Sequence, residues 1–362
     1  GTGALTKAGS SVLTLSGANT YTGKTTINAG TLRTGANNVM PDTSEVVFAN
    51  TAGAILDING NTETIGSISG GGGSGGNIYI GTNGALTVSQ FTNGTYAGTI
   101  SGSGGSFTKS SYGVLTLSGA NTYTGATTVS AGTLTVSGSL SDSTAVSVSS
   151  GATYALGASD TIGSIAGAGT VSLSSYTLTA GGDNSSTSVS GTITGTGALT
   201  KAGTGTLTLS NSSNSYTGAT TINAGTIAVT VNNALGTNGS GTTIGSSGTL
   251  DLQNVTYSTT EALTVNGGTI KTSTGTSTFA GAISLGANST VDVGGTQLTL
   301  SGIISGTSFG ITKTSSGILT LSGTNTYTGV TTINAGTLSV ATIGNGGVAG
   351  NLGKATSSAG NL

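Results

Sequence analysis

LTLSGANTYTG at residues 13–23, running on into KTTINAGTL at 24–32, reads as short strands broken by turns. Leu13-Thr14-Leu15 alternates apolar and polar side chains, as a half-buried strand does. Thr25-Thr26-Ile27 is a second short strand, and Thr31-Leu32 starts a third. Gly17-Ala18-Asn19 and Asn28-Ala29-Gly30 separate them, and these residue types accept the positive φ of tight turns. Just upstream, Leu5 to Lys7 is one more strand, closed by Ala8-Gly9.

The same text recurs three times. LTLSGANTYTG returns at 115–125, LTLSNSSNSYTG at 207–218 and LTLSGTNTYTG at 319–329. Each copy is followed by its own second block: ATTVSAGTL at 126–134, ATTINAGTI at 219–227 and VTTINAGTL at 330–338. Lys7, Lys109, Lys201 and Lys313 hold the same place ahead of the four copies, at spacings of 102, 92 and 112 residues. A weaker echo, TIGSISG at 64–70 and TIGSIAG at 161–167, lies between them. Repetition at this level predicts a solenoid, which grows by adding coils and not domains. The expected organisation is a single continuous β-solenoid over residues 1–362, with repeat units beginning near 1, 103, 195 and 307 and no separate catalytic domain.

Within a unit, Leu5 to Ile27 is 22 residues and Leu13 to Leu32 is 19. Coils of about 20 residues would stack these pairs one above the other, with about three short strands per coil. The fold class is therefore all-β, a β-helix of about 18 coils by this period. The expected inward columns are Leu13, Leu15, Ile27 and Leu32, with Leu115, Leu117, Leu207, Leu209, Leu319 and Leu321 as their equivalents.

These blocks resemble the autotransporter-associated β-strand repeat, also called the passenger-associated transport repeat. The resemblance implies a right-handed parallel β-helix passenger, exported through an outer-membrane β-barrel translocator and placed outside the cell or on its surface. It further implies that the repeat assists export by folding progressively outside the cell. No barrel and no globular effector domain is recognisable in these residues, so no specific activity comes with the resemblance.

Composition limits the function classes. Gly numbers 67 and Pro 1, which fits constant turning and not collagen or a Pro-rich linker. Charged residues are 5% and the net charge is −2, so there is no electrostatic footprint for nucleic acid. Cys and His are absent, which removes disulfides, cysteine metal sites and Ser-His-Asp catalysis. No run approaches the roughly 20 apolar residues of a membrane helix, so no membrane insertion of this segment is expected.

No catalytic, cofactor-binding or metal-ligating set is expected. The acids are Asp42, Asp57, Asp142, Asp160, Asp183, Asp251, Asp292, Glu45, Glu63 and Glu261, and none forms a local pair of the kind glycoside cleavage uses. A β-helix enzyme acting on polysaccharide, the alternative function, would need Asp, Lys or Arg clustered on successive coils; the sequence suggests no such cluster. The four recurrent lysines read as strand-end residues with their heads in water. The recurring loop residues Asn19, Tyr21, Asn121, Tyr123, Asn214, Tyr216, Asn325 and Tyr327 read as structural: rings against the apolar column, tyrosine hydroxyls on backbone partners, and asparagines satisfying loop backbone groups. Ice binding needs outward threonines on successive coils, and repetition every hundred residues argues against such an array. The expected function is thus a structural or adhesive stalk. Its expected partners are other copies of itself, head to tail, or cell-surface and matrix components. The end-to-end reading rests on GTGALTKAG at 1–9, which duplicates interior residues 195–203, and on a C-terminus at Asn361-Leu362 without a capping pattern.

Overall fold

The computed structural model describes residues 1–237 and 239–355, so Asn361 and Leu362 lie outside the described residues. All regular structure among the described residues is β-strand. The strands pair in parallel and build a β-solenoid of about 16 turns with about 21 residues per turn. The count is lower than 18 because several coils carry extra loop residues, such as the 24 from Arg33 to its stacked partner Asp57. The chain divides into two compact units, Gly1–Leu178 and Thr179–Leu362.

Three stacks of parallel strands make up the first unit. One runs from Leu5–Lys7 through Thr25–Ile27, Val46–Phe48 and Ile68–Gly70. A second runs Thr62–Ile65, Ala85–Ser89, Ser106–Ser110, Thr127–Val129 and Ala145–Val148. The third runs Val12–Leu15, Thr31–Thr34, Ile55–Asp57 and Asn77–Tyr79. Leu5–Lys7 and its counterpart Phe107–Lys109 thus lie on different stacks, because unequal coil lengths have turned the second repeat relative to the first.

The stacking of Leu13 on Leu32 is as expected. The other pairing differs: Leu5 stacks on Thr25, and Ile27 stacks on Lys7. The shift is two residues, so the face is kept, and Lys7 itself takes an inward position in the column.

In the second unit, Thr220–Val229 and Thr242–Leu252 each run unbroken around a corner and pair along their length, with a register shift between Ile222 and Ala224. The block Asn223-Ala224-Gly225 is there a bend inside a strand and not a separate turn, and Gly225 carries the positive φ of 65°. A further stack runs Thr256–Tyr257, Thr276–Phe279, Gln297–Leu300, Ile318–Leu321 and Thr337–Val340.

Inward Ile27, Leu32, Leu115, Leu117, Leu207, Leu209, Leu319 and Leu321 are buried. Each contributes roughly 1.5–3 kcal/mol relative to exposure. Leu13 departs from this expectation at 38% exposed, and Leu15 is only half-buried. Their strand, Val12–Leu15, pairs with Thr31–Thr34 and is the end strand of its stack among the described residues.

Candidate functional site

Four joints, one per repeat, hold the chemistry that the repeats preserve. The recurrent lysine is the first part. Lys7, Lys109, Lys201 and Lys313 are all buried, which corrects the expectation that their heads lie in water. The Lys109 Nζ donates to Ser111 O at 2.6 Å and to Ala131 O at 2.9 Å. Lys7 donates to Ala8 O, Gly9 O and Ala29 O at 3.0, 2.7 and 2.9 Å. Lys313 does the same with Thr314 O, Ser315 O and Ala335 O. Lys201 reaches Ala202 O and Gly203 O. Each ammonium is thus enclosed by turn carbonyls, and in three copies one of those carbonyls belongs to the next coil. Desolvation pushes Lys109 down to about 8 and moves Lys201 and Lys313 in the same direction.

The lysine also explains the turn geometry. The second residue after it is left-handed in all four copies: Gly9, Ser111, Gly203 and Ser315 have φ of 72°, 66°, 62° and 61°. That conformation is unfavourable for serine, and it aims the Ser111 and Ser315 carbonyls at the ammonium.

The asparagine is the second part, and it spans three coils. Asn121 Oδ1 accepts the Ile100 N–H from the coil before, at 3.0 Å. Its Nδ2 donates to Gly119 O and to Ser139 O, the latter in the coil after. Asn214 bridges Ile193 N and Ala234 O in the same way, and Asn325 bridges Ile304 N and Asn351 O. Asn19 donates to Gly17 O and Val39 O.

The peptide group reached by the asparagine is clamped from its other side too. Met40 N donates to Glu63 Oε1 at 3.1 Å, and Leu140 N donates to Asp160 Oδ2 at 3.2 Å. In the third joint Leu235 N donates to the Tyr257 hydroxyl at 3.1 Å. One peptide between residues 39 and 40, 139 and 140, or 234 and 235 is therefore held at its C=O by the repeat and at its N–H by the coil beyond.

The tyrosine is the third part. Tyr123, Tyr216 and Tyr327 are fully buried, and Tyr21 is half-buried. Each hydroxyl pairs with the threonine hydroxyl four residues on, at 2.7, 2.6, 2.7 and 2.6 Å for Thr25, Thr127, Thr220 and Thr331. The partner is a side chain and not the backbone group expected. Burial pushes all four phenols up.

Charged residues do meet on successive coils, contrary to expectation. Asp251, Lys271 and Asp292 are in register on neighbouring strands of the second unit. Lys271 Nζ lies 3.4 Å from Asp292. Arg33 and Asp57 form a similar pair in the first unit, at 2.7 Å. Asp251 already accepts Ser273 N, Ser273 Oγ and Gln253 Nε2. Asp292 accepts the Ser315 and Thr314 hydroxyls, and these together with Lys271 hold it below the usual carboxylate range despite partial burial. A general acid for glycoside cleavage needs the opposite shift.

Outward threonines also align. Thr64, Thr87, Thr108 and Thr128 stack on four successive coils. The row escaped sequence reading because each member comes from a different coil sequence, and only pairing brings them into line. Among the described residues no group of three or more acids is placed to hold a metal ion.

Residues 5–33, 107–136, 199–229 and 311–340 each match the passenger-associated transport repeat. These segments coincide with the four joints up to the clamped peptide. No curated protein and no solved structure matches the chain.

Proposed function

The chain carries four passenger-associated transport repeats on a β-solenoid, the architecture of an autotransporter passenger domain, and from that premise we propose that it serves as a non-catalytic structural and adhesive stalk. The repeats imply a secreted or cell-surface location and an outer-membrane translocator as export partner. The supporting observation is where the joints direct their polar groups. Lys109 and Asn121 donate to the chain's own backbone, and Tyr123 pairs with Thr127. Such groups tie coil to coil and leave the outer faces of neutral Ser and Thr to meet a surface. The test is to incubate the purified chain with cell-surface glycans and matrix proteins, then measure retention and new reducing ends. Retention without cleavage is the expected result. Release of reducing ends that disappears in Asp251→Asn or Asp292→Asn would overturn it in favour of the polysaccharide-acting enzyme, for which the Asp251–Lys271–Asp292 ladder is the specific candidate.

Self-association forms part of the same proposal. Ile27, Val129 and Ile222 are fully buried by a following coil, whereas their counterpart Ile333 is 52% exposed. Val12 and Leu13 are exposed on the first coil. A second copy stacking its Leu5–Leu15 coil over Thr331–Val340 would pair open strand edges and cover both apolar surfaces, as covalent neighbouring coils do where the chain is part of a longer rod. Sedimentation that shows growing species with concentration is expected. A concentration-independent monomer removes this part of the proposal.

A further inference from the structure

Each of the first three repeats is followed by one buried acid that bears on that repeat's tyrosine. Glu63, Asp160 and Glu261 come 42, 37 and 45 residues after Tyr21, Tyr123 and Tyr216, about two coils on. All three are buried. Glu63 holds Met40 N–H and Asp160 holds Leu140 N–H, on the peptides that the repeat asparagines hold by their carbonyls, and Glu63 holds the Val39 N–H of the preceding peptide with its other oxygen. Glu261 accepts the Thr242 hydroxyl at 2.7 Å, and Thr242 stacks on Thr220, the partner of Tyr216. Its second oxygen, Oε2, is buried with no hydrogen-bond partner.

Among the described residues no ion pair includes these carboxyls. The groups that bear on Glu63 are Asp42 and Tyr21. Those on Asp160 are Asp142, Tyr123 and Tyr154, the last with its buried hydroxyl turned to the Asp160 carboxyl. Those on Glu261 are Tyr216 and Tyr257. An anion enclosed by apolar columns, phenols and further acids is costly, whereas a neutral carboxyl keeps one full acceptor oxygen, which serves Glu261 well and costs Glu63 part of one of its two backbone contacts.

We propose that Glu63, Asp160 and Glu261 form three proton-linked joints: each takes up a proton as the coils stack over it, so that acid closes the coils behind the repeats and a rise in pH loosens them. Burial without a paired cation sets the direction, and at Glu261 the unpartnered Oε2 adds to it, while the backbone N–H donors to Glu63 and Asp160 act against it. Desolvation raises Glu63, brings Asp160 to about 6 and brings Glu261 to about 7. Folded values above unfolded ones mean that the stability from these groups is complete below the ordinary carboxylate range. It is lost as pH rises through about 6 for Asp160 and about 7 for Glu261. For a chain that folds outside the cell, the surrounding pH would act on the stack directly. Only that consequence rests on the export reading, because the joints can be measured on the purified chain.

The experiment is urea unfolding of the full chain at intervals from about pH 5 to about pH 8, with the proton uptake on refolding near pH 6 recorded in weak buffer. The urea midpoint of the wild type should fall across this range, and refolding should take up roughly one to two protons. In the triple variant Glu63→Gln, Asp160→Asn, Glu261→Gln the fall should vanish. Glu45→Gln, which removes an exposed acid paired with Lys24, should keep it. A wild-type midpoint that is flat or rises with pH, or refolding without proton uptake, overturns the proposal. So does a triple variant that folds and retains the wild-type slope. Should the triple variant fail to fold, Glu261→Gln alone must lessen the slope above about pH 6, and an unchanged slope there refutes the Glu261 joint.

Discussion

Gly132 and Lys109 constrain one another at single-residue scale. Gly132 has φ of 63°, and a Cβ added there would meet Ser111 O at 2.5 Å and the Lys109 Nζ at 2.7 Å. The glycine is required by the buried ammonium as well as by the backbone. Lys109→Met would keep the stem volume and remove the donors, leaving the Ser111 and Ala131 carbonyls unsatisfied. The expected loss is about 2 kcal/mol in urea unfolding. Lys24→Met, at an exposed ion pair, should change stability by less than about 0.5 kcal/mol. Equal effects at the two positions would show that the lysine cage does not hold the joint. The recurrence of Lys7, Lys109, Lys201 and Lys313 was visible in sequence, but their burial was not. A lysine after a short alternating run is ordinarily a solvated strand end, and only the next coil's carbonyls, 22 residues away, make an interior position affordable for it.

At the scale of the strand, phase decides what a substitution does. In Val114–Leu117 the burial alternates, with Leu115 and Leu117 inward and Thr116 outward. Leu117→Asp places an unpaired carboxylate in the apolar column and should cost about 4 kcal/mol or more. Thr116→Asp should cost less than about 1 kcal/mol, since its side chain reaches solvent. Thermal melts of the two variants check this, and similar effects would contradict the phase. Alternation made this phase legible without a structure. Register was less so: Leu5 stacks on Thr25 where a 22-residue spacing favoured Ile27, because two-residue slips preserve the inward face and leave no mark in the pattern. The long strands Thr220–Val229 and Thr242–Leu252 were hidden for a related reason. Their Gly-containing bends look like turns locally and become strand corners only when a neighbouring coil pairs across them.

For the molecule as a whole, the strand content predicts a far-UV spectrum of β-sheet and turn with no helical minimum. A helical signal from a quarter of the chain would be incompatible with it. EDTA should leave the melting temperature unchanged, since the joints close with lysine, asparagine and tyrosine side chains and need no metal; a large drop would reveal a cation in the fold. Sequence by itself determined the fold class, the fourfold repeat and the inward phase of the leucine pairs at 115–117, 207–209 and 319–321, because period-two alternation and repeated turn residues are properties of the chain read in order. Tertiary structure alone decided which side chains from different coils meet. The clamped peptides, the Asp251–Lys271–Asp292 ladder and the acids beside the repeat tyrosines all join residues about one or two coils apart. Coil lengths vary with the loops, and a change of a single residue moves a side chain to the opposite face. Contacts of that kind are set by register, which local sequence does not carry.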